Sequence, residues 1–291
     1  MKTITVEDEQ AGKRLDKALA ELFPHYSRSA LEKLIKEGQV LVNKSFVKSK
    51  YSLKLGDEIS LQFEQLDKPI EPIKLPVVYE DDDVVVIQKP VGVLAHSKCA
   101  FNKEGTVASW LKNHVKAATT DFWESNRAGI VHRLDRGTSG IMICAKNLKA
   151  QSHLQKQFAK RNVKKTYLAV VAGVLPDAEG SIDLPIERNP KKPATFRVGV
   201  NGKPAQTDFK VLKTDGAHSL VELKPKTGRT HQLRVHLAYL KHPIVGDEFY
   251  NGESSSRLLL HAKELEITLP NSERKTFTAE IPQVFKDIFN D

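Results

Sequence analysis

The residues of this chain best placed to do chemistry lie in one stretch, Ile130-Val131-His132-Arg133-Leu134-Asp135-Arg136-Gly137-Thr138-Ser139-Gly140-Ile141. It holds one carboxylate, Asp135, between Arg133 and Arg136. Two neighbouring cations favour the charged form of a carboxylate. A carboxylate so placed can act as a nucleophile or stabilise developing positive charge. The run Gly137-Thr138-Ser139-Gly140 reads as a turn, and Ile141-Met142-Ile143-Cys144-Ala145 as a buried strand after it. Loops at the edge of rigid strands commonly carry reactive side chains. An Asp between two Arg also serves as an ordinary surface turn, so these residues alone leave both readings open.

The segment His132-Arg133-Leu134-Asp135-Arg136-Gly137-Thr138-Ser139-Gly140 closely resembles the signature of the RluA-type pseudouridine synthases. Further segments match that family: Gln88-Lys89-Pro90-Val91-Gly92-Val93-Leu94-Ala95-His96, with Ser97 where the family often has Pro, then Lys226 to Leu237, His242 to Asp247, and Leu259-Leu260-His261-Ala262. The resemblance spans about residues 12–270. It implies isomerisation of uridine to pseudouridine within RNA, with Asp135 as the catalytic nucleophile, no cofactor and no metal. It also implies that Tyr167 lines the base pocket and takes the C5 proton, that Arg234 pairs with Asp135, and that Arg133 helps displace a flipped base. Arg136 and Arg229 are further expected RNA contacts. For the substrate, the resemblance points to 23S rRNA or a pre-ribosomal particle.

Bulk composition agrees with such a partner. Lys and Arg number 45 against 36 Asp and Glu, giving a net charge of +9 and a pI near 9.3. From Arg136 through Pro176 there are eight Lys or Arg residues and no Asp or Glu. A block of one sign beside the candidate carboxylate suits a phosphate backbone. A hydrophobic content of 40% argues for a packed core rather than disorder. The two cysteines, Cys99 and Cys144, have no metal or redox spacing, which fits a reducing compartment. The N-terminal residues lack the apolar core of a signal peptide, and no run is long enough to span a membrane. The expectation is a cytoplasmic monomer with no obligate protein partner.

The elements that must position these residues divide the chain at 1–64, 65–79 and 80–291. In the first part, Leu15, Ala18, Leu19 and Leu22 have helical spacing, Ser27 is a plausible N-cap for a second helix, and Gly38 a stop. Val40–Asn43 and Glu58–Phe63 read as strands. With Arg14-Leu15-Asp16, Ser27-Arg28-Ser29 and Leu34-Ile35-Lys36-Glu37-Gly38, this part resembles the S4 RNA-binding domain. Arg14, Arg28 and Lys36 are then its candidate RNA contacts. Residues 65–79 contain Pro69, Pro72 and Pro76 and read as a stiff linker.

In the last part, Glu80–Asp83 reads as a turn before a strand at Val84–Gln88. Val107, Trp110, Leu111 and Val115 mark a core-facing helix, and Asn147 a capped helix carrying Ala150, Leu154 and Phe158. Lys165–Gly173, Asp208–Leu212 and Ala217–Leu223 read as strands, and Gly228 stands just before a helix carrying Leu233 and Leu237. His231, His236 and His242 invite a zinc reading, but positions five apart do not share a helix face. The expected class is α+β: a small S4-like module, then a catalytic domain on a large, mostly antiparallel mixed sheet with flanking helices. A non-catalytic RNA-binding or ribosome-associated protein is the alternative, and a nucleoside hydrolase a weaker one.

Overall fold

The computed structural model describes residues 2–24, 26, 28–61, 70–97, 104–115, 120–123 and 127–289. Ser27, Cys99, residues 62–63 of the expected second strand and residues 65–69 of the expected linker lie outside the described residues. The described residues within 1–72 and 97–105 form one compact unit, and those within 73–96 and 106–291 another.

In the first unit the strands are β1 (Lys2–Thr5), β2 (Val40–Val42), β3 (Ser45–Phe46) and β4 (Glu58–Leu61), in the order β1-β4-β2-β3. Helices α1 (Leu15–Leu22) and α2 (Arg28–Lys36) bury Leu15, Leu19, Leu31 and Leu34 with Val40, Ile59 and Leu61. Gly38 ends α2 with φ +73°, a left-handed conformation that glycine adopts without a Cβ clash. β1 was not legible in the sequence, because a four-residue polar-flanked strand carries little alternation.

The second unit is built on a nine-stranded mixed sheet. Its strands are β5 (Val77–Glu80), β6 (Val84–Lys89), β7 (Ser139–Ala145), β8 (Lys164–Ala172), β9 (Glu179–Asp183), β12 (Gln206–Thr214), β13 (His218–Pro225), β14 (Leu260–Thr268) and β15 (Arg274–Thr278). The order is β5-β6-β7-β14-β8-β13-β12-β9, with β15 taking over beside the later residues of β14. All pairings are antiparallel except β7 with β14. A two-stranded ribbon, β10 (Ile186–Arg188) and β11 (Phe196–Val198), stands apart from it. Val77–Tyr79, expected in the linker, are sheet residues, and Glu80, expected in a turn, ends the same strand. The turn is Asp81–Asp83, where Asp81 accepts from the amides of Asp83 and Val84 at 2.8 and 2.7 Å.

β6 and β7 are covered on both sides, which is why their sequences are continuous apolar runs rather than alternating ones. Val85, Ile87, Met142 and Cys144 face one core with α3 (Val107–His114). Val84, Val86, Ile141, Ile143 and Ala145 face the other with α5 (Leu148–Ala159), reached after α4 (Thr120–Trp123). Burial pushes the Cys144 thiol up to about 12, so it packs as a small hydrophobe. Thr106 caps α3 in a reciprocal box with Ser109, and Asn147 caps α5 by accepting from Ala150 N at 2.9 Å. Two later helices complete the unit, α6 (Gln232–Tyr239) and α7 (Gln283–Asp287).

Gly140 sits where β7 meets β14. Its φ is +120°, and a Cβ there would collide with the carbonyl oxygen of Ala262. Only glycine lets the two parallel strands close at the base of the Asp135 loop. Gly140→Ala is therefore expected to destabilise this unit by about 3 kcal/mol or more, since strain and a backbone clash combine. Urea denaturation of the full chain, followed by the fluorescence of Trp110 and Trp123, measures it; an unchanged midpoint would contradict the close approach.

Candidate active site

The Asp135 loop is closed like a hairpin. Ile130 pairs with Cys144, and Ala145 N donates to Gly129 O at 2.9 Å. Residues 129–131 thus run beside the far end of β7, and residues 133–138 turn back to its start. His132 holds the two arms together. Its Nε2 accepts from Ile143 N at 3.1 Å, and its ring stacks on Phe158 with centroids 4.6 Å apart. Burial, aided by the charge of Lys165, pushes this imidazole down to about 3, so it is a neutral clamp. Leu134 is buried in the core, and its neighbour Asp135 turns toward a cavity with its side chain 20% exposed. Thr138 N donates to Asp135 O at 3.0 Å and closes the turn.

That cavity has a volume of about 490 Å³, within the range typical of small-ligand sites, roughly 300–1,000 Å³. Asp135, Tyr167, His231 and Arg234 line one part of it, and Arg133, Arg161, Lys165, Lys226 and Arg229 line the rest. Asp135 is the one carboxylate among the described lining residues.

α6 delivers two groups to Asp135. It starts at Gln232, three residues later than Gly228 and Arg229 suggested, after His231 in a left-handed conformation with φ 57°. The reason is Gln232 itself. Its Oε1 accepts from Arg229 N at 3.0 Å and from Thr227 Oγ1 at 2.7 Å, while its Nε2 donates to Gln206 O at 2.9 Å and Thr207 Oγ1 at 3.0 Å. Residues 227–231 are thereby tied to β12 as a fixed loop.

Arg234 does not spend its planar fork on Asp135. Its Nε and Nη2 donate to Asp247 at 2.7 and 2.6 Å, and Nη1 stands 3.7 Å from Asp135 Oδ2. Burial opposes the guanidinium charge, but the hydrogen bonds and charge of Asp247 together with the charge of Asp135 more than offset it, so its pKa rises. Phe249 and Tyr250 cover the guanidinium, with ring centroids 5.3 and 5.1 Å from its central carbon. Asp247 is buried. It follows Gly246, whose φ of +80° admits no side chain because a Cβ would strike Arg257 O.

His231 Nε2 lies 3.9 Å from Asp135 Oδ2. Tyr250 fixes which nitrogen bears the proton. Its hydroxyl accepts from Phe196 N at 2.9 Å, leaving its own proton for His231 Nδ1 at 2.8 Å. The imidazole proton is then on Nε2, facing Asp135. Burial lowers the His231 pKa more than Asp135 raises it, so the ring is neutral at neutral pH. Asp135 thus meets one cation and one neutral donor, both just beyond hydrogen-bond length.

Tyr167 lies on β8 opposite Leu223 and Ala262 and lines the cavity. Burial, then the charge of Asp135, pushes its phenol above the ordinary tyrosine range. In the resting site the phenol therefore holds its proton. Arg133 is exposed in the cavity wall and makes no ion pair with Asp135. Arg229 also lines the cavity, with Nε donating to Pro204 O at 3.0 Å. Arg136 is exposed outside that lining, and its carbonyl accepts from Gly92 N at 2.8 Å.

In the first unit, Arg14 and Arg28 both bind the carboxylate of buried Asp16, at 3.0 and 2.8 Å from Arg14 and 2.9 Å from Arg28 Nε. They organise that unit's surface before any RNA arrives. Lys36 is exposed on α2. The three histidines of the zinc reading go to separate partners: His231 to Tyr250, His236 to Thr207 Oγ1 and Leu184 O, and His242 to Ala172 O. Among the described residues no group of three or more His, Cys, Asp or Glu could hold a metal ion.

Sequence reasoning missed His231, Asp247 and Lys89. The Lys89 side chain is buried and donates to Pro90 O at 2.9 Å and Val93 O at 2.7 Å. Burial pulls its amine down to about 7, against the opposing charge of Asp135. All three stand inside matched motifs, which was the available signal; their partners were not readable.

A family model described as RNA pseudouridylate synthase matches residues 83–239, and an S4 domain model matches residues 13–59. The ribosomal large subunit pseudouridine synthase D of Vibrio parahaemolyticus is 42% identical over 256 residues, covering 87% of this chain and 77% of the relative. The protein of that name from Escherichia coli strain K12 is 40% identical, covering 86% and 76%. The solved structure of human RNA pseudouridylate synthase domain containing 1 superposes with a TM-score of 0.60 at 30% identity, covering 76% of this chain and 89% of that one. No described helix is long and apolar enough to cross a membrane.

Asp247→Ala removes one partner of a buried ion pair and leaves Arg234 uncompensated. The expected loss is about 3–5 kcal/mol of stability, read as a fall in the denaturation midpoint. Asp247→Asn, which keeps one acceptor, falls between it and wild type. Equal midpoints for all three would remove Asp247 from the framework of the site.

Proposed function

The chain belongs to the RNA pseudouridylate synthase family, and from that membership we propose that it isomerises uridine to pseudouridine in large-subunit ribosomal RNA, 23S rRNA, with Asp135 as nucleophile. The relatives' names supply the substrate class. The observation that carries the chemistry is a cavity with one carboxylate, Asp135, among the basic side chains Arg133, Arg161, Lys165, Lys226, Arg229 and Arg234.

The reaction breaks the bond from ribose C1′ to N1 of uracil, turns the base and joins C1′ to C5; a proton leaves C5 and one is gained at N1. No electrons enter or leave. Asp135 begins it by attack on C1′ or on C6 of the base. Arg234 Nη1 and His231 Nε2 stand at 3.7 and 3.9 Å, near enough to orient the carboxylate and too far to tie up its lone pairs. Hydrolytic glycosidases work with two positioned carboxylates, and Asp247 is occupied by Arg234. That favours isomerisation over release of free uracil. A uridine in a stem must leave the stack before its sugar reaches Asp135, and exposed Arg133 at the cavity wall suits the vacated space.

Asp135→Asn is near-isosteric and should lower single-turnover conversion by at least about 10³-fold, with RNA affinity within about threefold of wild type. Mapping pseudouridine in rRNA from cells carrying only this variant provides the second readout. Normal conversion by Asp135→Asn would overturn the assignment.

Affinity should fall steeply with salt, as phosphate contacts displace counterions. Lys36→Ala should reduce the slope of log affinity against log salt by about one, without changing the conversion rate at saturating RNA. An unchanged slope would remove Lys36 from the RNA contacts.

A further inference from the structure

Lys165 stands two residues before Tyr167 on β8. Side chains two apart on a strand leave the same face, about 6.6 Å from one another along the chain, and both line the cavity. The ammonium lies over the loop that precedes α6: a Cβ built on Gly228 would find Lys165 Nζ at 3.9 Å and no other atom within 4 Å. The Lys165 side chain takes part in none of the hydrogen bonds or ion pairs of the described residues, although its backbone pairs with Leu265. The contrast with Lys89 is plain, since that buried ammonium donates to two carbonyls.

A half-buried cation without an acceptor is costly, and burial lowers the Lys165 pKa. Among the described lining residues Asp135 is the one carboxylate, and the nearby His132 is neutral. Arg133 and Arg161 share the cavity wall and are exposed. The arrangement is short of one anion.

We propose that Lys165 is a phosphate-binding residue that holds one backbone phosphodiester adjoining the target uridine, so that a single ribose-phosphate spans from Lys165 to Asp135. The ligand class is an RNA phosphodiester. The identity of the nucleotide rests on the isomerase reading above; the anion site does not. Lys165 acts on the reaction through placement of the sugar and takes no part in bond making.

The test combines variants of the full chain with short stem-loop RNAs carrying one target uridine. Three RNAs are compared: unmodified, with a neutral methylphosphonate on the 5′ side of that uridine, and with one on its 3′ side. The hydroxyl vicinal to each tested linkage is replaced by fluorine in all three. Lys165→Met should weaken equilibrium binding of the unmodified RNA by about 10- to 100-fold, the range for a lost charge-assisted hydrogen bond. One methylphosphonate should weaken wild type by a similar factor and leave Lys165→Met unaffected, the non-additivity of a direct contact. Lys165→Arg should recover most of the affinity, since a guanidinium also binds a phosphodiester. Because an uncompensated charge is removed, Lys165→Met should melt at or above the wild-type temperature without RNA.

Losses from Lys165→Met and from both methylphosphonates that simply multiply would overturn the proposal. So would a lowered melting temperature of free Lys165→Met, which would reveal a partner within the protein. If the coupling is present but wild type makes no pseudouridine in the all-ribose stem-loop of the same sequence, which carries no fluorine, the phosphate site stands and the isomerase reading falls. If pseudouridine forms without coupling, the reverse holds.

Discussion

The buried pair of Arg234 and Asp247 is the interaction on which the site depends. Its two short hydrogen bonds, 2.7 and 2.6 Å, join α6 to the turn after Gly246. They also consume the Arg234 fork, so only Nη1 is left for Asp135, at 3.7 Å. An arginine held by Asp135 alone would bind it tightly and occupy its lone pairs. Held from behind, the guanidinium supplies charge and direction without a tight contact. Phe249 and Tyr250 keep water from the pair, and low local dielectric strengthens what remains.

The same device occurs in the first unit with the signs exchanged. There one buried carboxylate, Asp16, holds two arginines, Arg14 and Arg28. In each case a fully buried Asp satisfies part of an arginine and sets the direction of its remaining donors. Planar guanidinium groups suit this because they bind a carboxylate with two parallel bonds and still carry free N–H groups. The long one-sign run after Arg136 serves another purpose. Lys149, Lys156, Lys160 and Arg161 are exposed on α5 and just beyond it, while Lys165 turns inward to the cavity.

Neutral histidines complete the framework. His132 clamps the Asp135 hairpin, His236 ties α6 to Thr207 and Leu184, and His231 presents its Nε2 proton because Tyr250 occupies Nδ1. Burial lowers the pKa of each of them. Such donors orient the groups around Asp135 without adding charge.

Much of this was legible in the residues. The apolar runs of β6 and β7, the Asn147 cap, the helix carrying Trp110 and the stop at Gly38 all follow from local periodicity and backbone preference, which operate over a few residues. The Asp135 loop was legible for the same reason, as a turn feeding a strand. The start of α6 was not, because Gln232 delays it by bonding to Gln206 and Thr207, residues about 25 positions away. Val77–Tyr79 read as linker because an edge strand beside Pro76 has few local marks. The second partner of Arg234, Asp247, was not legible either. Asp135 and Asp247 are both acids in matched motifs, and which one takes the fork depends on where the turn at Gly246 places Asp247. Local chemistry marked which residues could react; the distances among Asp135, Arg234, His231 and Lys165 arise only when strands far apart in sequence close into one sheet.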